Sequence, residues 1–331
     1  MNLLEDIYYQ KEYISLYLKD EEEIFEFNYS QGDFFFINIG IKKPIKKIGE
    51  IILEEKYFDV ETVYGYGGIY SNTDNNLFLQ KALEHYKEYC HKNQVIADFS
   101  RIHPFNSTHK NIKEYYNLHV LDRKTVSVDT ALSNPERWSN YSAKVRNILR
   151  KCKRELIVRK SDDIDTFFHL YNKTMQKNNA DDFYFFEKVY FEKLLSNQNV
   201  ELYEVLLNDK VISASFIMYG KEICHYHLSA NNYDYKKHNA NYFILDSLFD
   251  IAHERGIQFF YLGGGRTNQE DDSLLRFKKK FSEIQKDFYI AGIECGGVGM
   301  VVRGGATMTA TQCEFMENGG FGVYCNGANT K

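Results

Sequence analysis

Two histidines have the side chains and spacing that amide-forming chemistry needs. In the segment EICHYHLS, His225 and His227 alternate with Tyr226 on one predicted strand, so the two imidazoles share a face. An acceptor ammonium must lose a proton before its nitrogen attacks a carbonyl carbon, and an imidazole with an ordinary pKa of about 6.5 suits that transfer. His227 is the candidate base, and a hydrogen-bonded structural histidine is the alternative.

A glycine-rich strand end precedes a short basic helix near the end of the chain. Gly263-Gly264-Gly265-Arg266 ends a predicted strand, and residues 272–278 open a helix that contains Phe277 and Lys278. Arg266 is a candidate for binding substrate. The alternative for the helix is a solvated basic face, formed by Arg276 and residues 278–280 around a core Phe277.

Two motifs in the first half have the chemistry of an acceptor site. Tyr64 and Tyr66 bring phenol groups to a glycine-rich loop that suits a sugar or peptide, although the loop is equally typical of a turn with positive φ. In Arg101-Ile-His103-Pro, the guanidinium can fork onto a carboxylate or phosphate, and the imidazole suits proton transfer. Otherwise Arg101 pairs with a carboxylate such as Asp59 and holds the loop in place.

Composition limits the class of protein. The chain has 331 residues, 44% hydrophobic and 26% charged, which indicates folded domains. A net charge of −5 argues against DNA binding, so any phosphate contact must be local. The six cysteines have no zinc-like spacing, so we expect no metal. Charges interrupt residues 1–20, and no stretch reaches about 20 apolar residues, so we expect no signal peptide, no membrane span and a cytoplasmic location.

Periodicity predicts two α/β halves. In the first half we expect a hairpin around residues 31–33, a helix over 77–93 and strands over 95–100 and 124–130, followed by a helix with Asn134 as N-cap. In the second half the pattern predicts helices over 162–176, 183–195 and 241–255, and strands over 200–207, 211–219, 222–229 and 257–262. The order strand, strand, strand, helix, strand is that of an N-acetyltransferase sheet, although an unrelated α/β fold can share it.

Four motifs occur in a fixed order along the chain. They are Asp59-Val-Glu-Thr-Val-Tyr-Gly-Tyr-Gly-Gly, Arg101-Ile-His-Pro, Lys144-Val-Arg-Asn-Ile-Leu-Arg-Lys, and Leu262-Gly-Gly-Gly with Leu275-Arg-Phe-Lys-Lys-Lys-Phe. Together they resemble FemAB-like acyltransferases of the GNAT superfamily, including the branch labelled BioF2-like, over residues 26–291. The resemblance implies tandem acetyltransferase-like halves, with the acyl donor held by the second half and the acceptor in the groove between the halves.

The resemblance also implies roles for particular residues. Family members use a Phe-Lys pair near the reacting ester, which corresponds to Phe277 and Lys278; a cation there stabilises the developing negative charge by roughly 3 kcal/mol. Acetyltransferases hold the donor pyrophosphate at a helix start, here residues 235–241 in place of a glycine-rich loop. Lys236, Lys237, Asn239 and Asn241 are therefore donor-binding candidates, with a surface turn as the alternative. The basic helix that carries Arg146 is either a solvated face or a further phosphate contact.

The tail differs in composition from the rest of the chain. Residues 297–307 align without gaps on residues 320–330, with glycines and a threonine in register. The repeat resembles about one rung of a right-handed parallel β-helix, which generally needs three or more repeats to bury a core. We expect either a segment docked on a sheet edge or a fragment joined to the chain after Glu294.

These observations predict an α/β protein with mixed sheets: a GNAT-like acceptor half at residues 1–133, a GNAT-like donor half at 134–294 and a β-helix-like tail at 295–331. The expected activity is N-acyl transfer from acyl-CoA or an acyl-carrier protein to an amine on a cell-envelope sugar or peptidoglycan precursor. No permanently bound cofactor is expected, and acyl-CoA is the expected co-substrate. Aminoacyl-tRNA-dependent transfer and a non-catalytic interaction module are the alternatives.

Overall fold

The computed structural model describes residues 1–48, 51–295, 299–303 and 322–326. The helices are α1 Lys11–Ile14, α2 Asn76–Lys92, α3 Thr108–Asn111, α4 Asn134–Asn140, α5 Ala143–Glu155, α6 Ile164–Lys177, α7 Lys188–Ser196, α8 Ala240–Glu254 and α9 Ser273–Lys278. The strands are β1 Glu23–Gln31, β2 Phe34–Ile48, β3 Ile51–Glu61, β4 Tyr70–Ser71, β5 Val95–Arg101, β6 Leu118–Asp129, β7 Ile157–Ser161, β8 Val200–Leu207, β9 Lys210–Tyr219, β10 Ile223–Asn231, β11 Phe259–Gly264, β12 Gln285–Glu294, β13 Gly299–Arg303 and β14 Gly322–Asn326. Within the described ranges, none of the helices has the length and apolar character that crossing a membrane requires.

The chain divides into two compact units that are interlaced in sequence. The N-terminal unit contains Asn2, Tyr8–Asp122 and the described residues from Asp287 onward. The C-terminal unit contains Met1, Leu3–Ile7 and Arg123–Lys286. The assignment of an acceptor and a donor role to the two halves stays a prediction.

The N-terminal unit contains a mixed sheet with the strand order β1-β2-β3-β5-β12, and β4 pairs with β2. Only β3 and β5 are parallel, and the chain between them forms α2. The predicted hairpin is present, because β1 and β2 pair antiparallel around a turn in which Gly32 has a φ of 60°. Helix α2 buries Phe78, Ala82 and Tyr86 in the core of this unit.

A buried carboxylate lies at the centre of this core. Asp98 on β5 is 2% exposed. Its Oδ2 accepts hydrogen bonds from Tyr86 Oη at 2.6 Å and Asn38 Nδ2 at 2.7 Å, and its Oδ1 accepts one from Ser100 at 3.2 Å. Burial raises the pKa of Asp98 to about 6, although all three hydrogen bonds oppose the shift.

The strands of the C-terminal unit are also mixed in direction and follow the order β6-β11-β10-β9-β8-β7. Strands β10 and β11 pair in parallel, and α8 lies between them in the sequence. The other neighbouring strands of this unit pair antiparallel. Phe216 and Ile217 are adjacent on β9, so their side chains point to opposite faces. Ile217 packs in the core formed with α5 and α8, and Phe216 contacts Phe167 of α6 and Phe191 of α7. Helices therefore cover both faces of this sheet.

Most predicted elements are confirmed, and several of their boundaries are corrected. Strand β6 begins at Leu118, six residues before the predicted start at residue 124. The N-cap of α4 is Ser133, not Asn134, because Ser133 and Glu136 form a capping box. Helix α7 begins at Lys188 instead of residue 183, since Asp182–Tyr184 forms a separate 3-10 turn. Strand β11 begins at Phe259, two residues later than predicted.

The predicted β-helix resemblance of the tail is not confirmed. Strands β13 and β14 belong to the two copies of the repeat and pair antiparallel. Stacked rungs of a parallel β-helix would pair in parallel. The remaining residues of the tail lie outside the described ranges.

Candidate active site

Strands β10 and β11 separate within the C-terminal sheet. Their parallel pairing covers only Ile223–His225 with residues 259–261. Beyond that point β10 stays on β9 as far as Asn231, and β11 stays on β6 as far as Gly264. Both strands have a register shift where they part, between Tyr226 and Leu228 and between Tyr261 and Gly263. The sheet therefore opens between two neighbouring strands, and an extended ligand can lie along their inner edges.

A 3-10 turn, Tyr233–His238, connects the end of β10 to the start of α8. Asn239, the residue before the helix, has a φ of 55°, and its side chain donates to the carbonyl oxygen of Lys237 instead of capping the helix. The equivalent helix of the other unit is capped, since Asn75 Oδ1 accepts a hydrogen bond from the Phe78 amide at 3.1 Å. The start of α8 thus keeps the free amides and positive dipole end that bind an anion.

Four of the predicted donor-binding residues come together at this helix start. Lys236 and Lys237 are exposed on the preceding turn, and Asn239 and Asn241 are half-buried. Asn241 Oδ1 is buried and has no hydrogen-bond partner among the described residues. Arg146 lies elsewhere: its guanidinium donates to the main-chain oxygens of Trp138 and Tyr141 at the end of α4.

Lys278 lies against the end of β11. Its Nζ donates to the carbonyl oxygen of Gly264 at 2.7 Å, and the side chain is 8% exposed. Burial lowers the pKa of Lys278 to about 7, with Arg123 adding to the shift and Asp272 opposing it. The alternative of a solvated lysine is wrong for Lys278, whereas its neighbours Arg276, Lys279 and Lys280 are exposed.

Asp272 fixes the loop between β11 and α9. One carboxylate oxygen accepts the amides of Leu274 and Leu275 at 2.9 Å, and the other accepts those of Arg266 and Thr267 at 3.2 Å. Gly265 must stay small because a Cβ there would collide with this carboxylate. Asp272 therefore sets the position of α9, and with it the position of Lys278.

Arg123 supports the same loop from the start of the unit. Its Nη1 donates to the carbonyl oxygen of Gly265 at 3.1 Å and to that of Arg266 at 3.3 Å. The Arg266 side chain is exposed and donates to Asn178 Oδ1 at 2.8 Å. Sequence reasoning missed Arg123, which lies 142 residues from Gly265; it also missed Asp272, whose place before Ser-Leu-Leu is a recognisable N-cap signal.

Phe277 packs against the first turn of α8. Its ring meets that of Tyr242 edge to face at a centroid distance of 5.0 Å, and Phe281 lies 5.6 Å away. Lys280 Nζ donates to Tyr242 Oη at 2.7 Å. Phe277, next to Lys278, therefore packs against α8, the helix whose start holds the donor-binding candidates.

His227 lies at the register shift of β10, between Tyr226 and Leu228. The prediction that His225 and His227 share one face assumed regular alternation along the strand, and the shift interrupts that alternation. Its Nε2 lies 3.1 Å from Tyr190 Oη on α7. Burial, and to a smaller extent His225, lowers the pKa of His227 to about 3. His225 is 1% exposed, and its Nε2 lies 2.7 Å from the Asp6 carboxylate. The two histidines therefore have different partners.

The acceptor-site candidates of the N-terminal unit lie around one loop. Tyr13 Oη donates to the carbonyl oxygen of Tyr64 at 2.9 Å. The Tyr66 ring packs edge to face on His103 and Phe288 at 5.9 and 5.2 Å. Gly65 and Gly68 have φ values of 112° and 84°, so this loop needs glycine.

Arg101 and His103 contact the same loop through its backbone. Arg101 Nη1 donates to the carbonyl oxygens of Thr62 and Val63, each at 3.3 Å. His103 is fully buried, and its Nδ1 accepts the Phe105 amide at 3.2 Å. Arg101 therefore holds the loop through these carbonyl oxygens.

A family model matches the part of the chain that holds the site. Residues 139–279, which include Lys278 and the start of α8, match the family model described as an acetyltransferase (GNAT) domain. None of the curated proteins matches the sequence. The family match supports a GNAT-type acyltransferase, and thus an enzyme.

Solved structures of low sequence identity share the fold. FemX matches with a TM-score of 0.65 and 15% identity over 89% of this chain and 91% of that chain. A conserved protein of unknown function from Bacteroides thetaiotaomicron gives 0.53 and 12% over 86% and 90%. L-PGS from Bacillus licheniformis gives 0.51 and 14% over 81% and 83%. The predicted tandem GNAT-like fold class is confirmed.

Proposed function

We propose that the chain is an N-acyltransferase that joins an acyl group from acyl-CoA or an acyl-carrier protein to an amine on a cell-envelope sugar or peptidoglycan precursor. The opening between β10 and β11 carries this proposal, because it lies between the uncapped start of α8 and the buried ammonium of Lys278. An acyl donor needs both features: an anion site for its phosphates and a cation near its carbonyl oxygen.

The proposed reaction has no covalent enzyme intermediate. The acceptor ammonium first loses a proton, and the neutral amine nitrogen bonds to the thioester carbonyl carbon. The carbon–sulfur bond then breaks with its electron pair leaving on sulfur, and the second proton of the nitrogen passes through solvent to the departing thiolate, which gives the amide and a thiol. Lys278 donates one hydrogen bond to Gly264, so two of its three ammonium hydrogens remain to stabilise the developing oxyanion. Phe277 and Tyr242 form an apolar wall beside it.

His227 fits a hydrogen-bonding role better than the role of a base. With a pKa of about 3, it is neutral at neutral pH and accepts a proton only weakly. A neutral imidazole still accepts or donates one hydrogen bond at each nitrogen. We assign His227 and its partner Tyr190 to holding the acceptor amine, which leaves deprotonation to solvent.

The acceptor side is proposed for the loop of the N-terminal unit. Tyr64, Tyr66, Arg101 and His103 come from distant positions and meet around residues 62–68. Phenol rings and a guanidinium together suit a sugar or peptide that bears phosphate or carboxylate groups, and the fully buried His103 supports the loop that carries them. Within the C-terminal unit, the exposed Arg266 stays a separate candidate for binding substrate.

Aminoacyl-tRNA-dependent transfer is the second candidate. The FemX likeness, with a TM-score of 0.65, favours it, because the FemAB-like resemblance includes relatives that use charged tRNA. The same opening between β10 and β11 would then hold an aminoacyl ester instead of a thioester. The leaving group would be a ribose hydroxyl.

A donor panel tests the proposal with the full-length chain. Thermal shift and native mass spectrometry with acetyl-CoA, longer acyl-CoAs, acyl-carrier protein and charged tRNA would identify the donor, and amine sugars would then be screened for amide formation. We expect saturable stabilisation by a thioester donor. Stabilisation by charged tRNA alone selects the second candidate, and turnover that is unaffected by Lys278→Ala overturns the assigned site.

A further inference from the structure

One side-chain oxygen joins the two chain segments that follow β10 and β11. Asn178 Oδ1 accepts a hydrogen bond from Arg266 Nη2 at 2.8 Å and another from Tyr233 Oη at 3.2 Å. Tyr233 follows β10, which ends at Asn231, and Arg266 follows β11, which ends at Gly264. Because these parallel strands have separated before their carboxyl ends, the bridge through Asn178 spans the outer end of the opening between them.

The bridge is anchored on the β10 side. Thr174 lies one turn before Asn178 on α6 and is 4% exposed. Its Oγ1 accepts the main-chain amide of Asn231 at 3.0 Å. Lys177 Nζ lies 3.3 Å from the centre of the Tyr233 ring, a cation–π contact between the same helix and the segment after β10. Helix α6 is therefore held to the end of β10 by a buried contact and an exposed one.

The β11 side of the bridge depends on one exposed side chain. The main chain of Arg266 is held in place, because its amide donates to Asp272 Oδ2 at 3.2 Å and its carbonyl oxygen accepts from Arg123 Nη1 at 3.3 Å. Its guanidinium is exposed and reaches α6 through the bond to Asn178. An exposed hydrogen bond between two side chains contributes little stability, so this end of the bridge can release while both main chains stay in place.

Asn178 lies where α6 ends. The helix ends at Lys177, and Asn179 has a left-handed φ of 48°, which stops it from continuing. The amides of Asn178 and Asn179 donate to the carbonyl oxygens of Thr174 and Gln176, each at 3.1 Å. Helix ends open locally at low cost in free energy, so these two amides report the state of the bridge.

We propose that Asn178 and Arg266 form a latch across the opening between β10 and β11, and that phosphate groups of the donor release it by binding Arg266. The inference rests on the proposed function and adds a gating step to that same site. A guanidinium binds a phosphate more strongly than a neutral amide oxygen, because those hydrogen bonds are charge-assisted and can be bidentate. An anionic donor therefore favours the open arrangement, whereas a neutral donor does not.

Two thioesters of different charge test the latch. Acetyl-CoA carries phosphates, and S-acetyl-N-acetylcysteamine has the same reacting end without them. We expect Asn178→Ala to raise kcat/KM for the neutral thioester at least about 5-fold, since the bond that it cannot displace is gone. The value for acetyl-CoA should stay within about two-fold, because its phosphates already release the latch.

A charged replacement should have the opposite effect. Asn178→Asp should lower kcat/KM for both thioesters, because a carboxylate pairs with Arg266 and keeps the latch closed. Asn172→Ala and Asn172→Asp are the matched controls, since Asn172 is also half-buried on α6, and both should stay near the wild type. A residue that only supports the fold would lose activity in both Asn178 variants. Losses of similar size in the two variants therefore overturn the latch.

Hydrogen exchange tests the latch without turnover. Inorganic pyrophosphate has the charge of the donor but no acyl group, and it should speed the exchange of the Asn178 and Asn179 amides at least about 3-fold in the full-length wild type. In Arg266→Gln these amides should exchange fast already, and pyrophosphate should leave their rate unchanged. Exchange in the wild type that pyrophosphate does not speed overturns the latch. Absence of turnover by the wild type with either thioester overturns the proposed function instead, and the exchange result still decides the latch.

Discussion

Lys278 Nζ donates a 2.7 Å hydrogen bond to the carbonyl oxygen of Gly264, the last residue of β11. The bond holds a buried ammonium at the point where β10 and β11 have already separated. Burial lowers the pKa of this ammonium to about 7, so near neutral pH the charged and neutral forms of the amine are both present. The group can therefore carry its charge most fully at mildly acid pH.

Replacing Lys278 should remove most of the turnover. We expect Lys278→Met to lower kcat about 100-fold, since a positioned donor to an oxyanion contributes roughly 3 kcal/mol. Steady-state kinetics with the donor identified by the panel would measure this effect. Lys279→Met is the matched control, because Lys279 is exposed, and it should stay within about two-fold of the wild type. An equal loss in both variants would exclude a specific role for Lys278.

Lys278 should also make the free energy of unfolding increase as the pH rises into the alkaline range. Its pKa is about 7 in the folded chain, against 10.5 for the unperturbed group, so the unfolded chain binds more protons between these values. The free energy of unfolding should therefore rise with pH from about 7 to about 10. Denaturant titrations of the wild type and Lys278→Met would show the rise in the wild type only. Parallel curves would contradict the buried ammonium.

Removing the Asp272 carboxylate should loosen α9 and misplace Lys278. Asp272→Ala leaves four amides without their acceptor, two of them at the helix start, and we expect a loss of about 2 kcal/mol of stability. Turnover should fall more than the folded fraction does. Asp271→Ala removes an exposed carboxylate from the preceding position and serves as the control. Urea unfolding with activity measured at matched folded fraction would separate the two effects.

The buried Asp98 should give the opposite dependence on pH. Its pKa is raised from 3.8 to about 6, so the folded chain binds more protons than the unfolded chain in this range. The free energy of unfolding should fall by about 2 kcal/mol as pH rises from about 4 to about 6. Asp98→Asn keeps an acceptor for Tyr86 and should abolish the fall. A fall that persists in this variant would assign the effect to other groups.

Local pattern predicted the elements well and their exact ends less well. Helical spacing located α2 and α8, because one buried face sets the period of each. Mainly apolar runs located β8 and β9, which are buried on both faces. The N-cap of α4 was misplaced by one residue, since both Ser133 and Asn134 are good caps and only the reach of Glu136 decides between them.

The candidate site was predictable only where a motif marked it. Phe277 and Lys278 followed from the resemblance, and Lys236 to Asn241 from their place before a helix. The pKa of His227 was not predictable, because burial by elements distant in sequence sets it. Arg123 gave no local signal, since its partners Gly265 and Arg266 are brought to it by the pairing of β6 with β11.

The interlacing of the two units has a consequence for the nascent chain. Strand β12 pairs with β5 through Ile290 and Arg101, yet it is synthesised after the whole body of the C-terminal unit. Because the strand that pairs with β5 is made so late, the N-terminal unit cannot finish folding on the ribosome before the C-terminal unit has been translated. Chaperones would meet this open sheet edge for most of synthesis. Dividing the gene at any single codon would likewise leave both products short of a segment of their own fold.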